Sequence, residues 1–98
     1  MPMLSLPAEL THTEARACLG ALAQGLRAVA DATVVVDASA LQRFDSAALA
    51  VLLELRRQSL ALGKTFAVAR MPARLADLAT LYGIGELLAA APSAQAPA

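Results

Sequence analysis

Residues 34–55 read VVVDASALQRFDSAALAVLLEL. Thr33 to Val36 are β-branched throughout with no polar alternation, which suits a central strand covered on at least one face. Asp37 ends that run, and Ala38 to Phe44 read as a loop. From Ser46 onward Ala, Leu and Val dominate, with no glycine or proline before Gly63. This predicts a helix that opens at Asp45 or Ser46, runs to about Leu62 and stops at Gly63. A buried strand joined to an apolar helix by a short loop confines the chain to the α/β class.

The flanking sequence extends the pattern. Met3 to Leu6, between two prolines, reads as an edge strand. Thr11-His12-Thr13-Glu14 has capping-box spacing and predicts a helix start. Cys18, Leu19, Leu22, Leu26 and Val29 follow at helical spacing, with an end near Ala30 or Asp31. Gly20 and Gly25 weaken that helix and permit close packing. Thr65 to Ala69 reads as the next strand. Pro72 fits the first turn of a third helix, with Leu75, Leu78, Ala79 and Tyr82 as its inward stripe. Gly83 stops it, and Ile84 is placed to fold back as in a Schellman cap. Glu86 to Ala90 predict a last helical turn. Alternating strands and helices imply one domain over residues 1–90, a small, mostly parallel sheet packed with three to four helices. Residues 91–98, APSAQAPA within Ala91 to Ala98, have nothing to bury and are expected to form a flexible tail.

Composition excludes several functions. The 98 residues suffice for one small domain, and 58% are apolar, so a core is within reach. Eight basic residues balance eight acidic ones, and the only aromatics are Phe44, Phe66 and Tyr82. Neither a basic field nor a stacking platform for nucleic acid exists. Cys18 is the only cysteine, so neither an internal disulfide nor a cysteine-based metal site is expected, and it reads as a core thiol. No signal-peptide pattern is visible, and no apolar run is long enough to span a bilayer. A cytoplasmic protein without direct membrane insertion is expected.

Asp45 and Ser46 stand side by side at the mouth of the helix. Either is a good cap. The first N–H groups of a helix also lack internal partners, and its dipole favours negative charge. A hydroxyl there is positioned beside an anion-favouring point, so phosphorylation of Ser46 would change the surface strongly. Asp37, at the strand end, is expected to satisfy loop N–H groups; its alternative, functional role would be to brace the loop that carries Ser46. A hydrolase triad from Ser46, His12 and an Asp finds little support, because no G-x-S-x-G elbow surrounds Ser46. No glycine-rich phosphate loop is present. At about 100° per residue the apolar residues of the second helix cover an arc of roughly 200°. Either the helix is wedged between the sheet and a neighbouring helix, or part of the arc near Ser46 meets another protein.

A strand ending in Asp, a short loop, then Asp-Ser opening an Ala/Leu-rich helix resembles the STAS domain, shared by anti-sigma-factor antagonists and sulfate-transporter tails. The later stretch GKTFAVARMPARLADLATLYGIGELL resembles the family's next strand, third helix and closing turn. The small size and the LYGIGELL ending look most like the MlaB branch, cytoplasmic accessory subunits of the ABC complex that moves phospholipids between Gram-negative membranes. Ala47 and Ala48 stand where the family commonly has a small pair ending in glycine, and the amino-terminal region is short for the family's first hairpin. The resemblance implies a non-enzymatic binding module without cofactor or metal. Its partner would be an ABC transporter ATPase subunit, docked at Asp45, Ser46, Ala47, Ala48 and Val51. The alternative it implies is an anti-sigma-factor antagonist switched by an anti-sigma factor kinase that phosphorylates Ser46.

Overall fold

The computed structural model describes residues 4–88. Within them lie β1 (Leu4–Ser5), β2 (Glu9–Leu10), α1 (Ala15–Ala28), β3 (Thr33–Asp37), β4 (Arg43–Phe44), α2 (Ser46–Ala61), β5 (Thr65–Ala69) and α3 (Ala73–Leu81), then a 3₁₀ turn over Gly85–Leu88. β3 is the centre of a three-stranded sheet, with β1 and β5 parallel on either side. β2 and β4 form a separate parallel pair. This is the small α/β fold with a parallel sheet that the strand–helix alternation predicts.

Side chains two apart on a strand share a face. Val34, Val36 and Val68 therefore point together, and all three are fully buried. They join Leu26 of α1, Leu49, Leu52 and Leu55 of α2, and Leu75 of α3 in one core. The opposite face carries Ser5, Thr33, Val35, Thr65 and Ala67, of which Ser5 and Thr65 are exposed. Ala67 is buried and Thr33 and Val35 are half-buried there, and the Thr65 hydroxyl donates to the Thr33 hydroxyl at 2.9 Å.

The helix ends follow local chemistry. Asp45 is extended at φ −133° and accepts the Ala47 N–H as the α2 cap. Past α2, Gly63 takes φ 78°, the Gly63 N–H bonds to Leu60 O and the Lys64 N–H bonds to Ser59 O. Past α3, Gly83 takes φ 74°, the Gly83 N–H bonds to Thr80 O and the Ile84 N–H bonds to Ala79 O. Both are Schellman closures, and both need a residue without a Cβ at the left-handed position.

Several expectations are corrected. The Thr11–Glu14 box forms on one side only. Glu14 Oε1 accepts from both the Thr11 N–H and the Thr11 hydroxyl at 2.7 Å, so the hydroxyl donates to the carboxylate and does not cap the helix. Residues 11–14 make a turn and α1 starts at Ala15. α1 ends at Ala28, earlier than predicted, because extended Val29 drops its side chain into the core. Pro72 caps α3 from outside its first turn. Cys18 lies at the edge of the core, half-buried, and burial pushes its thiol up from the ordinary cysteine value. Gly25 does permit close packing: a Cβ there would stand 2.9 Å from a Leu4 methyl, whereas Gly20 faces open space. Among the described residues β1 and β2 form no hairpin with each other; each pairs in parallel with a later strand. Met3, Ala89, Ala90 and the tail lie outside the described residues.

Candidate functional site

Ser46 is the first residue of α2, and it is exposed. The loop that delivers it is pinned at several points. The Ala38 N–H bonds to Ala69 O of β5 at 2.9 Å, and the Ala38 and Leu41 side chains are buried. The Gln42 and Arg43 N–H groups both bond to Ala8 O, leading into the β2–β4 pair. The last two residues of the expected loop are therefore a strand, and the helix mouth is anchored to both the sheet and the amino-terminal segment.

Asp37 stands where β3 runs into this loop. Its Oδ1 accepts the Ser39 N–H at 2.9 Å. It also holds Arg70, which the sequence did not single out: Arg70 donates through Nε at 3.2 Å and a terminal nitrogen at 2.6 Å. Arg70 has φ 54°, unusual for a residue with a side chain. The Arg70 guanidinium, then the Ser39 N–H, hold the Asp37 carboxyl well below the usual carboxylate range. The folded group is more acidic than the unfolded one, whose ordinary value is 3.8. Its stabilisation is complete above about pH 4 and is lost as pH falls toward the folded value. Asp37→Asn should lower stability by about 1–2 kcal/mol at neutral pH, an amount moderated by the exposure of Arg70. It should also flatten the fall in stability below about pH 4, which urea unfolding at a series of pH values would measure.

Asp45 is shared between two segments. Oδ1 accepts from the Ala47 N–H at 2.8 Å; Oδ2 accepts from the His12 N–H at 3.2 Å and lies 3.3 Å from His12 Nδ1. The Ala47 N–H is the main cause that lowers the Asp45 carboxyl, with His12 adding to it. His12 thus meets Asp45 from 33 positions away, a pairing invisible in the sequence. Among the described residues no hydrogen bond joins Ser46 Oγ to His12, so the Ser-His-Asp residue set does not assemble as a relay.

The surroundings of Ser46 differ from expectation. Ala48 is 0% exposed and Val51 3% exposed, both facing the protein's own core. They cannot be a docking surface, because α2 packs that side of its apolar arc on the sheet and α1. Ala47 is half-buried, and Ser46 and Ala50 are exposed. The exposed apolar surface beside Ser46 comes from α3 instead. Leu81 is 76% and Tyr82 55% exposed, so Tyr82 is not part of the inward stripe assigned to it. With Ser46, Phe44, Asp77 and Leu78 they line a shallow concavity of about 570 Å³. Arg74 lies over the Phe44 ring, 5.1 Å from its centroid. A second concavity, about 650 Å³, lies between Val68, α3 and the 3₁₀ turn, away from Ser46. No group of three or more His, Cys, Asp or Glu among the described residues is placed to hold a metal ion. No helix among them is long and apolar enough to cross a membrane.

A family model described as "Mlab, STAS domain" matches residues 1–89. The chain belongs to the STAS domain family. No curated protein matches it. STAS domains are generally non-catalytic.

Proposed function

We propose that this STAS domain is a non-enzymatic accessory subunit that binds the ATPase of an ABC phospholipid transporter maintaining outer-membrane lipid asymmetry. It would act in the cytoplasm, peripheral to the inner membrane through its partner, and without a cofactor. The observation that carries this reading is the exposed apolar pair Leu81 and Tyr82 set beside the exposed hydroxyl of Ser46. Aromatic and large aliphatic side chains exposed together around a polar point have the character of a protein interface. The Mlab description of the matching family model supports the transporter branch. The docking point is Asp45, Ser46 and Ala47, extended across to α3.

A second reading, an anti-sigma-factor antagonist, draws on the same exposed hydroxyl, which a kinase could reach. Gene deletion separates the two. Under the transporter reading the deletion strain becomes sensitive to detergent and its sigma-factor regulons stay unchanged. Altered regulons with an intact outer-membrane barrier would overturn the transporter reading in favour of the antagonist.

A further inference from the structure

Arg74, Asp77, Leu78 and Leu81 recur at helical spacing, so one stripe of α3 faces the concavity beside Ser46. That stripe carries one charge of each sign, and the two are not paired with each other. The Arg74 guanidinium is laid over the Phe44 ring. Asp45, the other carboxylate here, already accepts the Ala47 N–H on one oxygen and the His12 N–H on the other. Arg43, one residue before Phe44, is paired with Glu9. Asp77 is exposed and has no hydrogen-bond or ion-pair partner among the described residues. The concavity therefore offers one uncommitted carboxylate next to exposed Leu81 and Tyr82.

We propose that the segment of the partner seated on this face places an apolar side chain against Leu81 and Tyr82 and a Lys or Arg side chain on Asp77. This rests on the docking face proposed above. The charge complement selects the partner's chemistry: the concavity carries two carboxylates, Asp77 and Asp45, against the single guanidinium of Arg74, so its net charge favours a basic side chain over an acidic one. Charges at the margin of an interface act mainly on association rate and salt dependence.

The test uses the full chain and the transporter's ATPase subunit purified without it. Binding is measured for the parent, Asp77→Asn, Asp77→Lys and Tyr82→Ala at low and high salt. Asp77→Asn should weaken binding about fivefold and Asp77→Lys about fiftyfold at low salt, chiefly through slower association. Both differences should shrink at roughly 0.5 M salt, where screening shortens the reach of charge. Tyr82→Ala should weaken binding at every salt concentration. Both side chains are exposed, so melting temperatures of all three variants should stay near that of the parent. If Tyr82→Ala weakens binding while both Asp77 variants match the parent, the basic-partner inference is overturned and the docking face stands. If all variants bind like the parent, the docking face itself is overturned.

Discussion

Ser46→Glu is expected to lower affinity for the ATPase partner by at least about a hundredfold while the melting temperature barely moves. The fold tolerates the change because Ser46 is exposed at the first position of α2. The cap is made by Asp45, not Ser46, so no cap is lost. A carboxylate in the first turn also interacts favourably with the helix dipole, by about 0.3–1 kcal/mol. Inside an interface the same carboxylate would be desolvated, beside Asp45 and Asp77. An unpaired charge buried in this way costs about 3–5 kcal/mol, and about 1.4 kcal/mol is a factor of ten in affinity. Calorimetric titration against the ATPase subunit and a thermal melt of each protein give the two readouts. Glu54→Gln serves as a control, because Glu54 pairs with Arg57 and Gln58 on another side of α2. Parental affinity in Ser46→Glu would place the interface elsewhere on the domain.

Ala48→Arg, two residues further along, should do the opposite and unfold the protein. Ala48 is 0% exposed and belongs to the central core. A guanidinium at that point has no room and no carboxylate in the surrounding core, whose buried members are apolar except Ser59. Overpacking costs about 1–3 kcal/mol and the unpaired buried charge several more. A small domain is stable by only about 5–15 kcal/mol, with chains of this size near the lower end. Ala48→Arg should therefore be largely unfolded at physiological temperature by circular dichroism. Ala50→Arg, on the exposed side of the same helix, should melt like the parent. A well-folded Ala48→Arg protein would show that α2 is rotated from the phase described above.

The contrast between these neighbouring positions marks how far the sequence could be read. The expected surface was Asp45, Ser46, Ala47, Ala48 and Val51 as one patch. Ala48 and Val51 are buried and do not reach solvent. An apolar arc of roughly 200° on a helix has no unique inward direction, since alanine and valine suit either environment. Tyr82 posed the same difficulty. It falls at helical spacing from Leu75 and Leu78, yet it is the last residue before the Gly83 reversal, where the helix has already left the core. The half-formed box at Thr11 shows a local signal with two outcomes, decided by which atom the Glu14 carboxylate engages.

What the sequence by itself determined is local. The β-branched run at Thr33 to Val36, a polar cap at Asp45 or Ser46 and the glycine stops at Gly63 and Gly83 each depend on backbone groups within about six residues, and their chemistry is written in adjacent letters. Only the tertiary structure decided which face of α2 is buried, that Arg70 clamps Asp37, that His12 meets Asp45, and that α3 supplies the apolar surface beside Ser46. The Arg70 and His12 pairings each join residues 33 positions apart. They exist because β3 and β5, and β2 and β4, lie side by side in parallel register. Chain distance carries no record of that register, because it is set by how the helices bury their apolar sides against a shared sheet.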